Sequence, residues 1–193
     1  MTSSSPGDGD QPAGAPAVSA ELPDWSREAM RVGDWNPSRS LLASIRAWQK
    51  AANGNRVDQV AQRWLAVLRH RFWSIVTGAD IPLKCKIEGG LLLPHPNGIV
   101  VHPGVRIGPN CLLFQQVTLG TGGPVPGTPV LEGHVDIGAG AKVLGGVRIG
   151  AHAVIGANAV VLSDVPAGAT AVGIPARIVA RADPAGPASG RSA

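Results

Sequence analysis

Tyrosine is absent from this chain of 193 residues, phenylalanine occurs twice, and aromatic residues make up only 4%. A core with so few large rings must be filled by Val, Ile, Leu and Ala in close, regular layers, which disfavours a bundle or sandwich built on aromatic anchors. Charge is sparse too, at 16%, against 44% hydrophobic residues. That balance supports a buried core in a chain of single-domain size. No apolar run reaches the ~20 residues of a membrane-spanning helix, so a soluble protein with no membrane association is expected. The two cysteines, Cys85 and Cys111, are too few for a disulfide framework. Met1 to Ala20 holds no Lys, no Arg and no apolar stretch, so no secretory signal is read there. A reduced, cytoplasmic setting is expected.

What is abundant is glycine, with 26 residues, and proline, with 17. The net charge is +4, and much of the basic excess lies between Arg27 and Arg71. Such a segment can attract nucleic acid, a membrane surface or a polyphosphate group. It reads equally as a solvated helix surface, and no nucleic-acid partner is expected.

The chain divides into four zones. Residues 1–23 are of low complexity and carry too little apolar surface to offset ordering, so they are expected to be disordered. Residues 24–78 are expected to be an α-helical region. Within it Leu41, Leu42, Ile45 and Trp48 share one helical face, and Asn53-Gly54 is a stop signal. Val57, Val60, Trp64, Leu68, Phe72 and Ile75 then come at spacings of three and four, which predicts a second helix. The five tryptophans fall in or before these helices and are expected to pack between them. Residues 79–180 form the third zone, and 181–193 a flexible tail.

The third zone has a different period. From Ile107, every sixth residue is a branched aliphatic: Leu113, Leu119, Val125, Leu131, Ile137, Val143, Ile149, Ile155 and Val161. Four positions after most of these comes a small or apolar residue, and glycine often follows the aliphatic directly. Six fits neither a helix nor a simple strand; it fits hexapeptide repeats, whose short strands form successive sides of a prism. The aliphatic points inward onto its equivalent in the next coil, so stability accumulates along the stack. Residues 120–129 are rich in turn formers and read as a loop leaving the prism, although Val125 keeps the register.

Among the five histidines, His70 reads as a surface or interface residue, and His134 and His152 occupy repeat positions that face solvent. His95 differs, because it interrupts an apolar run between two prolines in LLLPHPNGIVV. Cys111 sits at a small inward position, where a buried thiol is structural filler, and nothing nearby in sequence activates it. Cys85 is similarly unsupported.

Asp80-Ile81-Pro82, residues 90–101, QQVTLGTGG, IGAGAKVLGGVRIG and GANAVVLSDVPAGATAVGIPARIV resemble the serine acetyltransferase family over about residues 68–180. The resemblance implies a mainly β fold, a left-handed parallel β-helix behind a short α-helical region. It implies direct acetyl transfer from acetyl-CoA, with no metal. The family's catalytic Asp lies fifteen positions before its His, and Asp80 and His95 keep that separation. By the same match His95 is the general base and Asp80 its partner. Gly120, Ala139, Lys142, Ala157 and Arg177 fall in the segments that contact acetyl-CoA. Pro94 and Thr128 fall where acceptor contacts are made.

Two departures bear on the acceptor. The family carries Asp-His at the catalytic turn, and this chain has Pro94-His95. It carries Arg-His-Pro after the loop, where this chain has Gly127-Thr128-Pro129, so the Arg that holds a carboxylate is missing. L-serine is the default acceptor by resemblance, and a sugar hydroxyl in glycan biosynthesis is the alternative. The helical region is short and the sequence ends without the isoleucine that docks such enzymes into cysteine synthase, so that partnership is not expected. A homotrimer is, with a dimer of trimers as the larger alternative. Two other classes fit less well: a metal-dependent lyase, for which His95 and His102 lack a third ligand, and a non-catalytic scaffold using the basic helices.

Overall fold

The computed structural model describes residues 18–31, 33–52 and 57–181. The Asn53-Gly54 stop, residues 1–17 of the expected disordered segment, and the tail beyond Arg181 lie outside the described residues.

The six-residue period becomes a coil of very short strands. Chain order gives β1 (Lys86–Ile87), β2 (Val100–Val101), β3 (Arg106–Ile107), β4 (Leu112–Leu113), β5 (Thr118–Gly120), β6 (Val130–Leu131) and β7 (Asp136–Ile137). It continues with β8 (Lys142–Leu144), β9 (Arg148–Ile149), β10 (Val154–Ile155), β11 (Val160–Val161), β12 (Ala169–Val172) and β13 (Arg177–Arg181). Successive strands enter different sheets. One parallel sheet runs β2-β5-β8-β11, a second β1-β3-β6-β9, and a third β4-β7-β10-β12, with β13 added antiparallel at its edge. We call these the first, second and third faces of the prism.

Along each strand the aliphatic faces in and its neighbour faces out. Val101, Leu119, Val143 and Val161 stack in register behind the first face. Ile87, Ile107, Leu131 and Ile149 stack behind the second, and Leu113, Ile137 and Ile155 behind the third. All are buried in one cluster, with the corner residues Cys111, Val117, Val135, Ala141 and Ala153 between them. Val125 is the exception: it keeps the numerical register but lies 40% exposed in the loop.

Two interruptions mark where function is placed. Val100 pairs with Thr118, eighteen residues on, and Lys142 with Val160 likewise. Asp80, however, pairs with Val100, and Leu92 with Leu112, each twenty residues on. The first coil therefore carries two extra residues between Leu92 and Val100. Thr118 pairs with Lys142, twenty-four residues on, because six extra residues leave the coil after Gly120. That excursion lies on Gly145-Gly146: Val125 O accepts from Gly146 N at 3.0 Å, and a Cβ on Gly145 (φ +88°) would meet Val125 O at 2.5 Å.

Both ends of the prism are covered. Helix α1 (Pro37–Ala51) starts at Asn36, whose side chain caps the Arg39 N–H, with Pro37 in the first turn. Its Leu41, Leu42 and Ile45 join the cluster beside Ile81, Leu91 and Leu93, closing the base. Helix α2 (Val57–Thr77) packs along α1, and His70 Nε2 lies 2.9 Å from the Ile81 carbonyl. At the other end β13 folds back on β12, and Ala176 N donates to Val160 O.

Two expectations change here. Residues 18–23, read as part of a disordered segment, lie against the second coil. Asn110, fully buried, donates to Ser19 O and Leu22 O and accepts from Asp24 N. Glu28 anchors the approach to α1 through an ion pair with Arg46 at 2.8 Å. The tryptophans are not all packed between helices either: Trp35 and Trp64 are mostly exposed. Trp64, Leu65, Leu68, Phe72 and Ile75 face outward, because α2 turns its Ala66 and Thr77 face, not this stripe, toward the prism. No helix among the described residues is long and apolar enough to cross a membrane.

Candidate active site

The two extra residues of the first coil form the turn 94–98, at the corner where the chain passes from the third face to the first. His95 is exposed on this bulge. Gly98 N donates to Gly78 O at 2.9 Å, so the turn rests on the end of α2, two residues before Asp80. Asp80 is exposed on the first face, its backbone bonded to Ile99 and Val101. The structure thus brings Asp80 and His95 to one corner of the base. Their side chains share no hydrogen bond within the chain.

Above His95 the same corner repeats in each coil and forms a continuous edge. Gln116 N donates to Asn97 O, Gly140 N to Gln115 O, and Asn158 N to Ala139 O, at 2.8–2.9 Å. Ala139 and Ala157 lie on this edge, one rung apart. Lys142 stands beside it on the first face, its Nζ donating to Gln116 O at 2.6 Å. Arg177 is exposed just above the last rung, after Ala176. Three rungs separate His95 from Ala157, roughly 14 Å at about 4.8 Å per strand. Gly120 does not join them. It ends β5 at the opposite edge of the first face, where its carbonyl accepts from Gly145 N.

Pro94 sits beside His95, but Thr128 does not. Thr128 Oγ1 donates to Gly104 O at 3.0 Å on that opposite edge, next to His102. The two residues expected to contact the acceptor therefore stand apart within one chain. His95 and His102 also fall on different corners, and among the described residues no group of three His, Cys, Asp or Glu side chains could hold a metal.

A cavity of about 680 Å³ opens at His95. Its walls come from the turn 91–97, the start of α1 and the end of α2, with Trp35, Asn36, Arg39, Thr77 and Asn97 among the residues that line it. Sequence reasoning missed the helical side of this cavity, because nothing in the repeat pattern says which end of α1 meets the coil.

The thiols are poor nucleophiles. Burial pushes Cys85 up to about 11 and Cys111 up to about 12. Cys111 Sγ is spent on the Glu132 carbonyl at 3.1 Å. Both should react with a disulfide reagent such as DTNB at pH 8 only as fast as the protein opens; fast labelling of the native chain would contradict this.

His134 and His152, which the repeat pattern turns separately toward solvent, meet edge to face with ring centroids 5.0 Å apart. They meet on the corner between the second and third faces, with Nδ1 atoms 2.8 Å apart, and His134 is half-buried. One imidazole must donate and the other accept, so the contact requires a neutral ring. Burial holds His134 below its ordinary value, with His152 adding to this and Asp136 opposing it. The unfolded state therefore takes up the proton first, and stability falls as pH drops below about 6.5. Melting should be lower at pH 5.5 than at 7.5, and His134→Asn, which suits the positive φ of 53°, should shrink the difference.

Residues 128–163 match the bacterial transferase hexapeptide family (six repeats). No curated protein matches the chain. A solved serine acetyltransferase in complex with cysteine is 38% identical with a TM-score of 0.65, over 79% of this chain and 57% of that one. Another, in complex with CoA, is 36% identical with a TM-score of 0.63, over 75% and 58%. Soybean serine acetyltransferase complexed with serine is 36% identical with a TM-score of 0.59, over 74% and 56%. The chain spans less than two thirds of each. The likeness gives the hand of the coil, a left-handed parallel β-helix.

Proposed function

We propose that this serine acetyltransferase-like chain is an acetyl-CoA-dependent O-acetyltransferase that converts L-serine and acetyl-CoA to O-acetyl-L-serine and CoA, a step of cysteine biosynthesis. The observation that carries the reading is His95: an exposed imidazole on a two-residue bulge, at the mouth of a cavity and the foot of an edge lined by Ala139 and Ala157. The cavity takes the acceptor, and the edge takes the extended acyl carrier. Arg177 and Lys142 lie where they would meet its phosphates.

His95 removes the proton from the acceptor hydroxyl as the oxygen attacks the thioester carbonyl. Asp80, at the same corner, supplies negative charge that favours the resulting imidazolium. The tetrahedral intermediate collapses, the carbon–sulfur bond breaks, and the imidazolium returns its proton to the departing thiolate. Holding both reactants in one site makes an acyl-enzyme unnecessary. The two buried thiols agree with that.

Gly120 and Thr128 lie at the far edge of the first face, so they reach a His95 only from a neighbouring copy. This and the outward apolar stripe of α2 support a homotrimer, with a dimer of trimers as the larger alternative; the setting is cytoplasmic. The test is CoA release from acetyl-CoA with L-serine, with sugars and with no acceptor, alongside sedimentation. Serine-dependent release by a trimer is expected. Release with sugars alone would overturn the serine assignment, and a monomer active on serine would overturn the shared site.

A further inference from the structure

The cavity at His95 contains one permanent cation and no carboxylate. Arg39 and His95 are the only titratable side chains on its walls among the described residues. Arg39 lies in the first turn of α1, a turn with no acidic residue, where a cation is disfavoured by the positive end of the helix dipole. Its guanidinium is held in place by a bond from Nη1 to the Ala29 carbonyl at 2.6 Å. Nε and Nη2 make no bond to any described residue, and no acidic side chain among them pairs with it. Arg46, two turns later, shows the contrast: its donors are taken up by Glu28, Gln49 and the carbonyls of Ile87 and Glu88.

Resting on the acyl-transfer reading above, we propose that Arg39 receives the carboxylate of the acceptor. A guanidinium pinned through one nitrogen keeps a pair of donors for a carboxylate fork, which neither a lysine nor a neutral residue reproduces. An anion there also relieves the charge on the first turn of α1. Arg39 thereby selects acceptors that bear a carboxylate beside the reacting hydroxyl, while His95 performs the proton transfer.

The test compares L-serine with serinol, which keeps the hydroxyl and amine and lacks the carboxylate. In Arg39→Gln the ratio of kcat/KM for L-serine to that for serinol should fall about 10- to 100-fold, the equivalent of one charge-assisted hydrogen bond. Arg39→Lys should recover part of it, and the KM for L-serine should carry the change more than kcat. An unchanged ratio would overturn the proposal. Calorimetric titration of L-serine into the full chain separates the two readings. Binding lost in Arg39→Gln, with no transfer by the parent protein, would keep the carboxylate site and overturn the reaction. Transfer to serine with the ratio unmoved would do the reverse. A parent protein that neither binds nor acetylates serine would sink both.

Discussion

His95→Ala should lower turnover about 10²- to 10⁴-fold, the range of a positioned general base. The side chain is exposed on a turn whose backbone bonds run through Gly98 and Asn97, so the fold should survive its removal. Affinity for CoA should survive as well, since the edge that takes the carrier begins at the next rung. A loss in kcat with an unchanged melting temperature and unchanged CoA binding is the expected pattern. Asp80→Asn should cost less than His95→Ala, because the carboxylate acts on the base and not on the substrate. Full activity in His95→Ala would remove the imidazole from the mechanism.

The largest expected effect on stability comes from a polar residue. Asn110 is completely buried, sits at φ +60°, and makes three side-chain hydrogen bonds to the backbone of residues 19–24. Alanine at this position removes all three bonds and disfavours the left-handed turn. Each such hydrogen bond is worth about 0.5–1.5 kcal/mol. Denaturant unfolding of Asn110→Ala should show a loss of about 3 kcal/mol. Limited proteolysis should then find cleavage between Ser19 and Arg27 that the parent protein resists. A variant with parental stability and no new cleavage would show that this segment does not hold the coil.

The repeat was legible because burial in this fold is periodic. A prism wall admits one inward side chain per six residues, and Leu113, Leu119, Leu131, Ile137 and their equivalents meet that demand one by one. The bulge at His95 has a trace in the sequence as well, upstream of Ile107. Ile81, Ile87 and Leu93 are six apart, as are Val101, Ile107 and Leu113, yet the two series are offset by two. A register break in a solenoid is where the backbone leaves the wall, and here it carries the only histidine that stands between two prolines.

Other features were not legible. The stripe from Val57 to Ile75 has helical spacing, and spacing alone does not say whether an apolar face meets its own core or another surface. His134 and His152 are eighteen residues apart, so they touch only because one coil lies directly on the next. Residues 18–23 have the composition of a disordered segment, and what orders them is Asn110, on a distant coil of the prism.

The sequence by itself determined the coil, its inward residues and the loop after Gly120, because each comes from local period or composition; the candidate pair Asp80 and His95 came from the family resemblance. Tertiary structure alone decided that the start of α1 walls the cavity at His95 and brings Arg39 into it. It also decided that Thr128 stands on the far edge of the face that His95 borders. Those facts depend on which surfaces meet, and contact between distant segments leaves no periodic trace in the residues that make it.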